Sequence, residues 1–407
     1  MFLTVPDSLI NQLLGTAAQT EGKLYGYRYD DGDVVQIRGI LEASGAYLGR
    51  WYRSPVPPTT ELAPEEIVLN IDDELPDQVA GWQSKATGWE TISCNVIRLH
   101  TDYASRMHGI FEVSSLANTC IAVIGLGSGG SVVASQLARC GVGQMRLVDF
   151  DRLKVHNIAR HACGLHDIGR YKTRALRDLL YDISPAITVE TYELNVLGHE
   201  DQLATIVTGC DLVVVATDHE DSKLAVNTVC WPRGIPAIYA AAYNRAFGGD
   251  IFRAIPSEGA CYACFQTVIA DFFGPPPAAT QDFSLGYEDP ARMEELLAQP
   301  GLGVDVGMIA LLMARMALLT LLRDKQNTLP DLPTNWLLFG NRAEWIFQQP
   351  LESLFIDVPK NAQCPVCNYS AFVAESLKMS EQEAAAEASD ILADLPVIQL
   401  SILPNQT

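Results

Sequence analysis

The sequence contains no uninterrupted apolar run of about 18 residues, the length that a membrane-spanning helix needs. Residues 307 to 322 come nearest, but Arg315 interrupts that run and Arg323 closes it, so no membrane span is expected. The stretch from Met1 to Asp7 has no basic segment, so no export signal is expected and the expected compartment is the cytoplasm. Positive charge is scarce as well: Lys and Arg number 28 against 49 Asp and Glu, a formal net charge of −21. Nucleic-acid binding draws its affinity from Lys and Arg on phosphates, and that balance argues against it. It suits a partner with a basic docking face. There is also no Walker A lysine motif, which excludes a P-loop. Without an export signal, the ten cysteines are not read as a disulfide framework.

The chain of 407 residues, 48% hydrophobic and 19% charged, is long enough for two or more globular domains. Residues 1–115 read as an α+β accessory or interaction module. A helix is expected over 7–19 and strands over 23–28, 34–42, 47–52 and 67–71, with a proline-rich connection from Ser54 to Pro58. Its histidines, His100 and His108, have no acidic or cysteine neighbours at ligand spacing. From Leu116 strand and helix patterns alternate, with strands expected over 120–125, 144–150, 187–194, 211–217 and 237–242. That alternation predicts a Rossmann-like, doubly wound α/β domain over 116–378. A further strand over 248–255, antiparallel, and two short strands over 336–340 and 345–349 make the sheet mixed. Residues 266–304 read as a long irregular loop, 304–323 as a buried helix, and 379–407 as an acidic tail with a helix over 381–395.

Chemistry concentrates between Ile121 and Lys172. An apolar strand runs into Gly125, Gly127 and Gly130 of a Gly-x-Gly-x-x-Gly turn, followed by a helical pattern. Such a turn lets backbone approach a phosphate, and the unpaired N–H groups of the first helical turn point at it. The second strand ends in Asp149 and Asp151, which places a carboxylate where a ribose lies. Asn157, Arg160 and Lys172 follow; two cations and an amide beside a glycine anion site suit a triphosphate better than a dinucleotide. The fourth strand ends in Thr217 and Asp218, a carboxylate suited to magnesium that bridges phosphate oxygens. Cys261 and Cys264 form one Cys-x-x-Cys pair, and Cys364 and Cys367 form another after 99 intervening residues. This is the spacing of a closed four-thiolate zinc site, which is structural.

In this combination (glycine turn, Asp-x-Asp, Asn-x-x-Arg, Gly169 to Lys172 as Gly-x-x-Lys, Thr-Asp and paired Cys-x-x-Cys) residues 116 to about 370 resemble the ThiF/MoeB/ubiquitin-activating enzyme superfamily. The resemblance implies adenylation: ATP and the C-terminal glycine carboxylate of a ubiquitin-like protein give an acyl-adenylate and pyrophosphate. It places Asp149 at the ribose hydroxyls, Asn157, Arg160 and Lys172 at the phosphates, Asp218 at magnesium and zinc on the cysteine pairs. It also implies a homodimer with an arginine crossing the interface, for which Arg106 is the nearest candidate. The reading that follows is an activating enzyme of a bacterial ubiquitination-like pathway, partnered by a ubiquitin-like protein and a conjugating enzyme. Sulfur-carrier adenylation, transfer-RNA modification and a non-catalytic partner subunit stand as alternatives. The loop over 266–304 lacks the cysteine that often accepts the acyl group. Cys163, beside Arg160 and His161, is the substitute, its thiol expected to be acidified by those neighbours.

Overall fold

The computed structural model describes residues 1–16, 19–29, 34–56, 63, 65–86, 88–98, 103–184, 186–256, 258–272 and 301–369. The chain forms two compact units, Met1–His108 and Gly109–Thr407. The division falls there because residues just beyond His108 join the second unit: Thr328 N–H donates to Ile110 O at 2.9 Å, and Phe111 bridges to Asn327.

The first unit is a closed barrel, where an α+β module was expected. Its strands are β1 (Phe2–Pro6), β2 (Glu21–Arg28), β3 (Val34–Gly39), β4 (Ala46–Tyr52), β5 (Ile67–Ile71), β6 (Val79–Lys85) and β7 (Gly88–Ile97). They follow the order β1-β3-β2-β4-β5-β6-β7, and β7 pairs back onto β1. Closure leaves no unpaired edge. Leu3, Leu24, Ile37, Trp51, Ile67 and Leu69 fill the interior, and α1 (Asp7–Gly15) adds Leu9, Ile10 and Leu13. The helix ends at Gly15, short of the expected 19.

The second unit is the expected α/β domain. Its elements are β8 (Cys120–Ile124), α2 (Ser128–Arg139), β9 (Gln144–Val148), α3 (Lys172–Ile183), β10 (Thr188–Tyr192), α4 (Glu200–Val207), β11 (Leu212–Val215), α5 (Glu220–Cys230), β12 (Ala237–Ala242), β13 (Gly248–Ala254), α6 (Tyr262–Phe272), α7 (Gly303–Leu322), β14 (Trp336–Gly340) and β15 (Glu352–Ile356). The sheet runs β10-β9-β8-β11-β12-β13-β14-β15. Pairing is parallel from β10 to β12 and antiparallel from β12 to β15. Every residue of β8 and β11 is buried, as continuous apolar runs in a doubly covered parallel sheet require. By length and composition α7 is apolar enough to cross a membrane. Here Ile309, Met313, Met316, Ala317 and Leu322 are buried, and the helix packs on α2, β11, β12 and β13.

Two expectations are corrected. Residues 345–349 form a turn, with Trp345 at φ +60°, and the last strand is β15. The alternation that imitates a strand comes from Trp345 and Phe347, which pack edge-on to each other at 6.4 Å. Residues 266–272 are helical, where the irregular loop was expected to begin. The rest of that loop, 273–300, and the tail with its expected helix lie outside the described residues.

The strand order reverses between β8 and β11, so β9 leads away on one side and β12 on the other. The carboxyl ends of β8 and β11 are therefore the switch point at which open α/β sheets hold ligands. Asp250 of β13 is buried at 6% exposure and accepts a hydrogen bond from Tyr243 Oη at 2.9 Å. Burial pushes its carboxyl up to about 6, against the pull of Lys223. A raised folded-state value means that stability is fully present below the ordinary carboxylate range and is lost as pH rises through about 6. Asp250→Asn should flatten that slope, which thermal melts between pH 4.5 and 7.5 (about three units spanning the transition) will read.

Candidate active site

The glycine turn is built by close approach. Gly125 sits at φ +84°, and a Cβ there would lie 2.8 Å from the Ala216 carbonyl group. A Cβ on Gly130 would lie 1.9 Å from Gly125 O. These two glycines bring the ends of β8 and β11 together. Gly127 is different: a Cβ would meet nothing within 4 Å. It is the N-cap of α2, and no side chain caps that helix end. The first-turn N–H groups of α2 are thus not taken by a side-chain cap among the described residues, as an anion site requires. Thr217 Oγ1, just past β11, is buried with no hydrogen-bond partner among the described residues.

Asp149 locks this turn to the next strand. Its Oδ2 accepts from Leu126 N–H at 2.7 Å and its Oδ1 from Asp151 N–H at 2.8 Å. Burial raises its pKa above the ordinary carboxylate value; Lys172 and both N–H groups oppose that rise. Lys172, the first residue of α3 and 8% exposed, places Nζ 3.0 Å from Asp151 Oδ2 and 3.7 Å from Asp149 Oδ2. One buried cation thereby balances two carboxylates that would otherwise repel a phosphate.

Asn157 ends a short 3₁₀ turn, its Oδ1 accepting from Lys154 N–H at 2.9 Å. Arg160 follows in a loop that abuts the start of α7: a Cβ on Gly303 would lie 2.7 Å from Ala159 O and 3.4 Å from Arg160 Cα. His161, read from the sequence only as a neighbour of Cys163, ties that loop to the glycine turn. Its Nδ1 accepts from Cys163 N–H at 3.0 Å, which leaves Nε2 to donate to Leu126 O at 2.9 Å. Burial lowers its pKa, which favours the neutral ring that this arrangement needs. Ala162 N–H also donates to Ser131 Oγ of α2 at 3.2 Å.

Asp218 lies exposed two residues before α5, just past β11. Arg106 is exposed and belongs to the first unit. The expected acidification of Cys163 is corrected. That thiol is buried, and burial together with Asp167 pushes it up to about 12.

The four cysteines of the two Cys-x-x-Cys pairs converge, with all four sulfurs within 4.8 Å of one another. Sγ–Sγ distances of 3.9 Å (Cys261–Cys264), 3.5 Å (Cys261–Cys364) and 3.4 Å (Cys264–Cys367) resemble a metal-holding set. Four sulfurs about 2.3 Å from a tetrahedral ion stand about 3.8 Å apart. Asn361 N–H donates to Cys264 Sγ at 3.3 Å, the kind of bond that supports a thiolate ligand.

The ThiF family matches residues 104–354, well over half of the sequence. The chain belongs to the ThiF family. The matched stretch takes in the whole glycine turn, Asp149, the Arg160 loop, Lys172, Asp218 and the first cysteine pair, and this ThiF-family unit also resembles several named proteins. Ubiquitin-like modifier-activating enzyme 5 of Oryza sativa subsp. japonica is 26% identical over 277 residues, 64% of this chain and 59% of that protein. Ubiquitin-like modifier-activating enzyme 5 of Gallus gallus is 30% identical over 174 residues, 40% of this chain and 44% of that protein. The chain thus spans about half the length of the curated relatives that it matches. The solved structure of E. coli MccB with ATP is 19% identical at a TM-score of 0.48, covering 63% of this chain and 68% of that one.

The two kinds of glycine should respond differently to substitution. Gly130→Ala, with its blocked Cβ, should cost about 1–3 kcal/mol of stability, whereas Gly127→Ala should leave stability near the native value. Urea unfolding of both variants will check this.

Proposed function

We propose that the ThiF-family unit uses ATP to adenylate the C-terminal carboxylate of a small protein modifier. The observation that carries this reading is the convergence, at one switch point, of an uncapped helix N-terminus, the Asp149–Lys172–Asp151 cluster, the Arg160 loop and Asp218. In the reaction a carboxylate oxygen attacks the α-phosphorus, the bond to the pyrophosphate oxygen breaks, and a mixed acyl-phosphate anhydride forms. Two anions meet and a third leaves, so positioned cations supply most of the stabilisation and no general base is needed. Arg160, Lys172 and Asn157 serve the phosphates, and Asp149 serves the ribose. Magnesium would be held by Asp218, where it neutralises phosphate charge. Zinc fits the four converging sulfurs, and its closed ligand set would clip α6 to the segment after β15.

The fate of the adenylate follows from the cysteines. Four belong to the thiol cluster, and burial pushes Cys94 up to about 11 and Cys163 and Cys230 up to about 12. Cys140 is raised by burial too. Cys120 is held near 7, chiefly by its hydrogen bond with Cys210, but both are buried at the amino ends of β8 and β11, the edge opposite the site. This distribution favours release to an external nucleophile, as in sulfur-carrier adenylation, over an internal thioester. The second reading is a ubiquitin-like modifier handed to a conjugating enzyme in a bacterial ubiquitination-like pathway; the names of the curated relatives support its first part alone, a ubiquitin-like modifier as the substrate of activation. A homodimer, with the barrel as the partner-holding module, completes the proposal.

Pyrophosphate exchange into ATP with magnesium should appear only when a carrier ending in glycine is added. Parallel reactions with sulfur-carrier and ubiquitin-like proteins separate the two readings, and absence of exchange with every carrier would sink both. Asp218→Ala should lower the exchange rate roughly 100-fold or more. Elemental analysis should find zinc bound at the thiol cluster, lost in Cys264→Ser.

A further inference from the structure

Glu220, Lys223 and Asn227 lie at i, i+3 and i+7 of α5 and so share one helix face. That face meets the first turn of α6. Tyr262 Oη donates to Glu220 Oε2 at 2.6 Å, and Gln266 Nε2 donates to the same oxygen at 2.6 Å. Lys223 Nζ donates to Glu220 Oε1 at 2.7 Å. One turn and more along, Tyr262 N–H donates to Asn227 Oδ1 at 2.9 Å. Tyr262 therefore grips α5 at two points, through its hydroxyl and through its backbone.

The placement of each end of this grip matters. Tyr262 stands between Cys261 and Cys264, and both thiols belong to the four-cysteine cluster. Its ring stacks on Tyr239 at 4.3 Å, and that contact does not depend on the hydroxyl. Glu220 opens α5 only two residues after Asp218. The Glu220 side chain is half exposed, whereas that of Lys223 is 2% exposed. The far half of α5 is anchored by Val226, Val229 and Cys230, all buried, but its first turn presents no buried aliphatic residue. Charged hydrogen bonds to one carboxylate hold it instead. Such bonds are short and about twice as strong as neutral ones.

We infer that Tyr262 is a positioning residue for Asp218: its hydroxyl, set in place by the thiol cluster, fixes the first turn of α5 and so the carboxylate just before it. This rests on the proposed role of Asp218 at magnesium. The thiol cluster and the magnesium end of the site, which lie on different elements, are then coupled through one side chain.

Calorimetric titration of ATP into the full-length protein, with and without magnesium, tests this directly. Magnesium should strengthen ATP binding to the native protein. In Tyr262→Phe that gain should fall about tenfold, the size of a lost hydrogen bond to a charged group, with metal-free ATP affinity and zinc content unchanged. Glu220→Gln, a change on a half-exposed side chain, should reproduce the loss. A magnesium gain of native size in both variants would overturn the inference. So would a joint loss of zinc and of metal-free ATP binding in Tyr262→Phe, which marks a merely structural role. If the native protein shows no magnesium gain, the magnesium reading of Asp218 has failed, and the positioning role goes with it.

Discussion

Asp149 accepts hydrogen bonds from two backbone N–H groups that belong to different turns, Leu126 after β8 and Asp151 after β9. The rest of the site depends on that double acceptance. It fixes the glycine turn against the end of the neighbouring strand, and Gly125 in turn rests on Ala216 at the end of β11. Three strand ends are thereby held in one cluster. The cost is a buried carboxylate, and Lys172 answers it while drawing in Asp151. A charge buried without such partners would cost several kcal/mol or lose its ionisation. The first turn of α3 is thus positioned by the same interaction that positions the glycine turn.

The Arg160 loop is held by a second set of contacts. His161 bonds to Leu126 O, Ala162 to Ser131 Oγ, and Ala159 and Arg160 lie against Gly303. The loop is therefore fastened to the glycine turn, to α2 and to the first residue of α7. Since α7 is a core helix packed on three strands, the Arg160 loop has one firm wall.

Legibility from sequence followed the range of the interactions. The glycine turn, Asp149, Arg160 and Lys172 are spaced along about fifty residues of one strand–helix repeat, so local pattern finds them. The paired cysteines are readable across a long gap because the Cys-x-x-Cys spacing is itself a ligand geometry. The barrel was not legible as such, because its closure depends on β1 pairing with β7, 91 residues away in register (Phe2 with Ser93), and β7 buries only Ile92. A strand with so little apolar pattern gives no alternation to detect. Cys163 was misjudged for the same reason: Arg160 and His161 are neighbours in sequence, but burial is a tertiary property, and it dominates the thiol. Tyr262 and Glu220 stand 42 positions apart, and nothing in either segment signals that they meet.

The charge balance sharpens what the site must do. A chain with a formal net charge of −21 repels a polyanionic nucleotide at long range. At physiological ionic strength that field is screened beyond about 8 Å. Under the proposed function, affinity for phosphates would come from groups within a few ångströms: the first-turn N–H groups of α2, Lys172 and Arg160. Long-range steering would then act on the proposed modifier, for which the acidic surplus favours a basic docking face. Under the proposed function, nucleotide binding would be local to the Asp149 cluster, whereas binding of the modifier would draw on the wider charged surface. Substitutions at these two levels separate by salt: the first changes binding at every ionic strength, and the second fades as salt rises.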